Sequence, residues 1–243
     1  MYDLSNFTLR DMLMAGGDIR RVARTAKSME EAAESIVHYL YERCAEPSGE
    51  KSCALIRCYK THPYGALDVT LRRFADGLMG GTKPSPSMKC LTLIASVGQQ
   101  PAWNSRHTSN GHKAIPLPSA TVVEQAPMIA QLIRQFGIEI TDFVTPSRDA
   151  LRTADGKTLN VFHIEEAKGN PSIPAQEEFV ERYNVRSVLG FGGLLRTADL
   201  FTVIMFSKRH IPVESAQRFR TLALDVKSAF FPYPTDQVFS TRA

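Results

Sequence analysis

The sequence has no long run of apolar residues. Its longest fully apolar runs fall far short of the ~20 residues that a membrane-spanning helix needs. Its polar N-terminus is not that of a secretory signal. From these two absences we expect a cytoplasmic protein without a membrane span.

The sequence also has little excess of positive over negative charge. The 243 residues include 29 Lys and Arg against 25 Asp and Glu, which gives a net charge of +4. This excess is small and scattered along the chain, whereas a nucleic-acid-binding surface needs a concentrated basic patch. We therefore expect no nucleic acid partner.

The common enzyme and metal-binding motifs are missing as well. No Walker-type, GxSxG, HExxH or CxxC sequence occurs, which removes the most frequent routes to a hydrolase and to a zinc site. The sequence thus predicts no metal site and leaves the cofactor unknown, with a small-molecule ligand as the expected bound group.

Cysteine is rare, with four residues in apolar contexts: Cys44, Cys53, Cys58 and Cys90. In a chain without an export signal, these are expected to be reduced thiols. Cys53 and Cys58 are an odd number of residues apart on a predicted strand, so they are expected to face opposite sides of it. Burial in the core is the favoured interpretation.

The chain instead contains an alternation of helical and strand patterns. Gly16 and Gly17 predict a kink in the first helix, because each costs ~1 kcal/mol relative to alanine. Ser28 begins the second helix in a capping-box pattern, with Glu31 placed to reach back to the Ser28 amide. The predicted helices are about 8–26, 28–46, 67–74, 121–136 (perturbed at Pro127), a short one before 183, and 212–230. The predicted strands are 52–59, 89–97, 138–144, 160–164, 187–195 and 200–206.

Residues 186–230 carry the clearest of these patterns. Two apolar segments flank the short polar turn 196–199, which predicts an antiparallel hairpin. Pro212 then starts an amphipathic helix with one buried stripe, and Asp225 is expected on its solvent side. Adjacent strands joined by short turns predict an α+β domain, with helices mostly on one face of an antiparallel sheet.

Four stretches, taken in order, resemble a GAF domain, the small-molecule-sensing fold related to PAS. They are MKCLTLIASVGQQPAWNSR (88–106), GHKAIPLPS (111–119), APMIAQLI (126–133) and SVLGFGG (187–193). The resemblance covers about 12–232 and is to the input domains found ahead of kinase or phosphorelay modules in bacterial sensor proteins. It implies a GAF-like central antiparallel sheet flanked by helices, with the N- and C-terminal helices packed on one face.

The resemblance also implies a division of the chain. An N-terminal helical segment (1–27) precedes a GAF-like sensory domain (28–232), and a flexible tail (233–243) follows. GAF-type input domains usually continue into a transmitter domain, whereas this sequence stops soon after its last helix. It is expected to be either an excised input domain or a stand-alone sensor that acts on a separate partner.

A ligand wall is predicted in the long connection 99–117, which holds the only tryptophan. Trp103, Asn104, Arg106 and His112 combine an aromatic face, an amide, a guanidinium and an imidazole. This mixture orients a small planar or anionic ligand in a mostly apolar cavity. The alternative is structural, with Trp103 filling the edge of the core while Asn104 and Arg106 cap backbone carbonyls.

Three further ligand-binding candidates follow from the hairpin and the resemblance. Gln176 and Arg186 are expected on the opposite wall, on the GAF resemblance alone. Phe191 lies in the glycine-rich stretch 190–193, which is not a dinucleotide fingerprint because a strand follows it rather than a helix. The glycines there favour packing, a bulge, or a close approach of backbone or ligand.

The resemblance implies a non-catalytic domain that senses a small molecule and regulates a histidine kinase or phosphorelay partner. GAF-like domains commonly dimerise through their first and last helices, so Leu9, Leu13, Val22 and the C-terminal helix are expected between two subunits of a homodimer. The basic residues at 20, 21, 24 and 27 form either a solvated face or a docking surface.

Two other hypotheses stay open at this point. Some proteins with the GAF fold reduce methionine sulfoxide, so the cysteines admit a thiol-based redox enzyme, which would need an accessible thiolate with a resolving partner. The other hypothesis is a scaffold whose pocket is filled by its own side chains.

Overall fold

The computed structural model describes residues 1–81, 83–145, 159–233 and 238–240. Within these ranges six strands form one antiparallel sheet in the order β3-β2-β1-β6-β5-β4. The strands are β1 (Cys53–Pro63), β2 (Lys89–Gly98), β3 (Ala114–Leu117), β4 (Asn160–Ile164), β5 (Ser187–Leu194) and β6 (Leu200–Ser207). The helices are α1 (Leu9–Val22), α2 (Met29–Arg43), α3 (Val69–Leu78), α4 (Ala120–Glu124), α5 (Pro127–Gln135), α6 (Ile140–Val144) and α7 (Val213–Phe230).

One face of the sheet, called here the helix face, is covered by α1, α2 and α7. Their apolar stripes and the sheet form a single core cluster. Burying a large apolar side chain contributes about 1.5–3 kcal/mol, so this cluster fixes the terminal helices on the sheet. The predicted α+β class, the antiparallel sheet and the placement of the first and last helices on one face are confirmed.

The opposite face, called here the loop face, is covered by α4, α5, α6 and the connections that follow β2 and β4. A second cluster of buried apolar residues lies here. A smaller third cluster packs α3 against the end of β2 and against β3. The sheet therefore separates a helical layer from a more irregular one.

The predicted kink at Gly16 and Gly17 is wrong, because α1 is continuous through both glycines. Gly16 lies directly against the carboxylate of Asp225 on α7, where a β-carbon would overlap it. Arg20, one turn further along α1, pairs with Asp225. The glycine thus permits the close approach of two helices, and that approach buries Asp225, which was predicted to face solvent.

One predicted element on the loop face is also wrong. Residues 138–144 contain the short helix α6 rather than a strand, with Ile140 and Phe143 pointing inward. Short apolar runs do not distinguish a strand from a buried helix. The helix predicted at 121–136 with a perturbation at Pro127 is confirmed as helical, and the perturbation is a break: α4 and α5 are separate helices, and Pro127 begins the second.

The connection after β2 is more regular than the sequence predicts. Residues 101–103 form a 3-10 turn, and 114–117 form the edge strand β3, which pairs with β2. Pro116 argued against a strand in the sequence, because proline is tolerated in a sheet only at positions such as an edge. A π-helix (Gln176–Glu181) stands where the short helix before 183 was predicted.

The first strand runs four residues further than predicted and contains two irregularities of register. One lies between Cys53 and Leu55, and the other between Cys58 and Tyr59. The first irregularity changes which side chains face the helices. As a result Cys53 and Cys58 both belong to the helix-face core, and the prediction of opposite sides is wrong.

The start of α2 shows half of the predicted capping box. The Ser28 hydroxyl accepts from the Glu31 amide, but the Glu31 carboxylate accepts from the amide of Lys27, one residue before Ser28. Near it, the Glu30 amide donates to the carbonyl of Val238, and Val238 is buried.

The division of the chain at 27 and 232 stays a prediction.

Candidate ligand-binding site

A patch of polar side chains lies at the centre of the loop face. Arg57 on β1 is directly opposite Ser96 on β2, and Tyr59 on β1 is directly opposite Thr202 on β6. Residues directly opposite in an antiparallel pair project from the same face, with their β-carbons about 4.5–5.5 Å apart. All four residues are buried. They are called here the polar patch.

Arg57 is the charged member of the polar patch. Its Nη1 donates to the Tyr59 hydroxyl (3.1 Å) and its Nη2 donates to the Ser109 hydroxyl (3.0 Å). Its Nε is buried and has no hydrogen-bond partner among the described residues. A guanidinium stays protonated in proteins, so the centre of this face carries a permanent positive charge whose partners among the described residues are two neutral hydroxyl groups.

The hydroxyl groups of Ser96 and Thr202, like the Nε of Arg57, are buried and unpaired among the described residues. Both oxygens are buried, and within the described ranges neither has a hydrogen-bond partner. Most buried polar side-chain atoms in proteins are paired, so each exception needs an explanation. Three such atoms lie on the adjacent strands β2, β1 and β6, which makes this part of the loop face the candidate site.

The connection between β2 and β3 lies over the polar patch. Ser109 is buried and donates from its hydroxyl to the Gly111 carbonyl (3.2 Å) while accepting from Arg57. His112 adopts a left-handed backbone conformation with φ 59°, which is uncommon outside glycine. Desolvation of its ring, and then the Arg57 charge, lower the pKa of His112, although the residue as a whole is exposed. The Arg57 charge thus disfavours the protonated form of His112.

Trp103 and Asn104, predicted to contact the ligand, hold this connection against the end of β2. The Trp103 ring packs edge-on against Tyr183 (4.7 Å between centroids) and Phe179 (5.8 Å) on the loop face. The Asn104 side-chain oxygen accepts from the Gly98 amide (3.0 Å). Gly98 leaves room for the Trp103 ring, which a β-carbon would overlap. The Trp103 contacts match the structural alternative, whereas Asn104 caps a backbone amide rather than the backbone carbonyl of that alternative.

Arg106 and Phe191 lie on the helix face, across the sheet from the polar patch. Arg106 pairs with both carboxylate oxygens of Glu30 at the start of α2 (2.6 and 3.1 Å), and Phe239 covers its guanidinium. Phe191 is fully buried against Phe219 of α7. The structure therefore does not bring these two residues together with Trp103, Asn104 and His112.

Gln176 and Arg186 belong to the connection between β4 and β5. The Gln176 amide donates to three backbone carbonyls of residues 167–173 and accepts from the Gly169 amide, so it ties that connection together. Arg186 is exposed, and its backbone amide pairs with the Ser207 carbonyl. The ligand-binding role of all seven predicted residues stays a prediction, and among them His112 is the one whose pKa the Arg57 charge lowers.

Sequence reasoning missed Arg57, Tyr59, Ser96, Ser109 and Thr202. One signal was present, because Arg57 interrupts the apolar strand sequence CALIRCY. Arginine is almost never fully buried unless it is paired, so its place in a buried strand marks a candidate site. Ser96 and Thr202 join Arg57 only through strand order and register, while Tyr59 lies two residues along the same strand and Ser109 comes from the connection 99–117.

The described ranges hold no group of three or more His, Cys, Asp or Glu side chains placed to bind a metal ion. No helix within them is long and apolar enough to span a bilayer.

The four thiols are all free and buried. Burial raises the pKa of Cys44 and of Cys90 to about 12, and it raises the pKa of Cys53 and Cys58 as well. Thiol chemistry needs an accessible thiolate of low pKa. The buried environments of these cysteines favour the neutral, inaccessible thiol instead.

No protein-family model and no curated protein matches the sequence. Among solved structures, the chain is similar to the GAF domain of a phosphoenolpyruvate-protein phosphotransferase from Coxiella burnetii, with 13% identity and a TM-score of 0.48 over 92% of this chain and 94% of that one. The corresponding Acinetobacter GAF domain has 13% identity and a TM-score of 0.43 over 91% and 93% of the two chains. The phycoerythrobilin-bound GAF domain of a cyanobacterial phytochrome has 10% identity and a TM-score of 0.41 over 91% and 97%.

These likenesses concern the fold and carry no information on a ligand. The fold itself is visible in the strand order, in the antiparallel pairing throughout, and in the terminal helices on one face. The central antiparallel sheet flanked by helices, which the sequence resemblance implied, is confirmed.

Proposed function

We propose that this GAF-type domain is a non-catalytic sensor that binds a small molecule at the polar patch, between the sheet and the connection 99–117. One observation carries the proposal: the Arg57 Nε and the hydroxyls of Ser96 and Thr202 are buried together without partners among the described residues. A buried polar atom left unpaired costs about 1–3 kcal/mol. A ligand that pairs these atoms recovers that energy on binding.

The surroundings of the polar patch suit such a ligand. The Leu93 side chain and Ile204 flank it on the same face, and Phe162 lies two strands away across Gly190. Small-molecule sites combine mostly apolar walls with a few polar groups that fix orientation. Gly190 carries no side chain to fill the space over Ile204, and a β-carbon there would crowd the Phe162 ring.

Signal transmission is proposed to run through the sheet to the terminal helices. Strands β1, β2 and β6 carry the polar patch on one face and contact the α1, α2 and α7 layer on the other. A ligand that alters the spacing of these strands biases the packing of that layer only if it binds two arrangements with different affinity. The proposed receiver is a kinase or phosphorelay partner in the cytoplasm.

A homodimer is the proposed route from the helices to that partner. Leu9 and Leu13 on α1 are 61% and 65% exposed, and they lie four residues apart on one side of the helix. Leu224 on α7 and Phe231 just after it are 52% and 66% exposed. Exposed apolar groups of this kind mark interaction surfaces, and a second copy of the chain is the proposed occupant.

The thiol-enzyme hypothesis has no support from the site. The thiols of Cys53 and Cys58 lie in the helix-face core, and Cys90 is buried beside α3. None of them belongs to the polar patch, so the thiols and the proposed ligand site do not form one catalytic site.

Native mass spectrometry of the freshly purified protein tests the proposed function, with a thermal-shift screen of small metabolites as a second measurement. We expect a co-purified small molecule, or at least one metabolite that raises the melting temperature of the wild type. The same compound should have no effect on the Thr202→Val, Ser96→Ala double variant, which removes the two unpaired hydroxyls. A protein that is folded and binds no compound would support the scaffold hypothesis instead.

A further inference from the structure

We infer that the ligand of the polar patch carries a carboxylate, which Arg57 binds as its counter-ion. This inference rests on the proposed function and names the chemical class of the molecule sensed. It is supported in two ways. The other strongly buried cations of the described chain have carboxylate partners, and a single guanidinium neutralises one negative charge.

The other strongly buried cations of the described chain are both paired with carboxylates. The Lys60 ammonium lies 2.9 Å from the Asp199 carboxylate, and Arg106 pairs with Glu30 at 2.6 Å. Arg57 is buried to the same degree, yet none of the described carboxylates forms an ion pair with it. A buried ion without a counter-ion costs several kcal/mol. Arg57 is therefore the position at which an anion from outside the described chain brings the largest gain.

The charge around Arg57 favours a singly charged anion. The other members of the polar patch and Ser109 are neutral hydroxyl side chains, so Arg57 is the single positive charge among them. A phosphate monoester carries about −1.5 to −2 charges at neutral pH, and binding it here would exchange an unpaired buried cation for a net buried anion. A monocarboxylate leaves the site neutral.

The geometry of the donors leads to the same class. The guanidinium fork matches the two oxygens of a carboxylate, and its Nε is unused while Nη1 and Nη2 are held by Tyr59 and Ser109. Those two hydroxyls fix the plane of the guanidinium before a ligand arrives. Ser96, directly opposite Arg57, supplies a further hydroxyl donor to a carboxylate oxygen.

Titration of the full chain with matched probe pairs tests this inference. The probes are acetate, propionate, lactate, pyruvate and benzoate, each beside its neutral amide, with inorganic phosphate as a doubly charged comparison. The fluorescence of Trp103, the only tryptophan, reports binding on the loop face. We expect at least one carboxylate to bind at least tenfold more tightly than its amide and than phosphate, in line with charge-assisted hydrogen bonds.

Variants assign the effect to Arg57. Arg57→Met should weaken carboxylate binding at least tenfold and leave amide binding unchanged, while Arg57→Lys should retain part of the preference. Arg134→Met removes an exposed arginine paired with Glu124 and should change nothing. If Arg57→Met does not fold, the carboxylate and amide comparison on the wild type still decides.

The outcomes separate the inference from the proposed function. Tight binding of a neutral compound or of phosphate, with no preference for any carboxylate over its amide, overturns the inference and leaves the sensor proposal standing. Equal carboxylate affinity in wild type and Arg57→Met also overturns it. If no probe binds and the metabolite screen and native mass spectrum are empty too, both proposals fail.

Discussion

The ammonium of Lys60 and the carboxylate of Asp199 form an ion pair of 2.9 Å in which the Lys60 side chain is only 1% exposed. Asp199 comes from the turn between β5 and β6, and Lys60 also donates to its neighbouring carbonyl at Thr61 (2.8 Å). The pair ties the β5–β6 hairpin to β1. It also shows how this fold neutralises a buried cation, in contrast to Arg57.

Removing one partner of this pair should destabilise the protein. Asp199→Asn leaves the Lys60 ammonium buried without a counter-ion, and such changes typically cost about 3–5 kcal/mol. Urea unfolding should show this loss, whereas Glu124→Gln, which breaks the exposed pair with Arg134, should change stability by less than about 1 kcal/mol. A Lys60→Met, Asp199→Asn double variant that is as unstable as Asp199→Asn alone would contradict this explanation.

Arg57→Met should have the opposite effect on the ligand-free protein. The substitution removes a buried charge that has no counter-ion among the described residues, and keeping one such ion out of water costs several kcal/mol. We therefore expect an equal or higher free energy of unfolding together with loss of binding. A loss of stability greater than about 2 kcal/mol would mean that Arg57 is a structural residue, because the bonds to Tyr59 and Ser109 would then outweigh desolvation.

The stability of the protein should fall as the pH drops below about 6.5. Both ring nitrogens of His62 are buried without partners among the described residues, its ring stacks on Phe239, and burial together with the Lys60 charge lowers its pKa well below the usual value. The unfolded chain therefore binds a proton at a pH where the folded chain does not, so stability rises with pH between the folded and the unfolded pKa. The pKa values of His112 and His163 are lowered in the same direction.

His62→Phe isolates the contribution of that residue. On unfolding, the wild type takes up one proton more than the variant over roughly one pH unit below the unfolded pKa of His62. Between pH 7.5 and 5.5 the variant should therefore lose about 1 kcal/mol less stability than the wild type. Urea midpoints at the two pH values measure the difference. His38→Gln, at an exposed position, serves as the control and should follow the wild type. Identical pH dependence in His62→Phe would contradict the assignment.

The four thiols should be unreactive in the folded protein. Their burial and raised pKa values leave almost no thiolate at neutral pH. A colorimetric disulfide reagent should therefore titrate less than one thiol per chain within minutes under native conditions, and all four in urea. Rapid reaction of Cys90 or any other thiol in the native state would restore the redox-enzyme hypothesis.

The exposed leucines of α1 should control the oligomeric state. Leu13→Glu places a charge in the proposed dimer surface at a position that is 65% exposed, so it should not affect the core of the folded chain. We expect a dimer for the wild type and a monomer for the variant by light scattering, with nearly equal melting temperatures at low concentration. Thr121→Glu on α4, away from α1 and α7, should leave the dimer intact.

The fold was largely predictable from local patterns. The stretch 186–230 places two apolar strands around a four-residue turn before an amphipathic helix, and only an antiparallel hairpin under a helix suits that order. The failures came where local patterns are ambiguous or where tertiary contacts decide. Residues 140–144 are too few to separate strand from helix, and Gly16 serves the contact with Asp225 rather than a kink.

The candidate site was much less predictable. His112 was proposed because unusual side chains cluster in its connection, and its role stays a prediction, whereas Arg106 from the same cluster turns to Glu30 on the other face. Ser96 and Thr202 meet Arg57 and Tyr59 only through a register that depends on two irregularities in β1. Such long-range pairing leaves no mark in any single window of sequence.

The Nε–H resonance of Arg57, followed by nuclear magnetic resonance during titration with the tightest-binding carboxylate of the probe series, tests the central claim most directly. We predict a saturable downfield shift of that one signal with the same dissociation constant as the Trp103 fluorescence, accompanied by changes at the Ser96 and Thr202 amides. An Arg57 signal that stays fixed while the fluorescence saturates would place the ligand elsewhere and contradict the account.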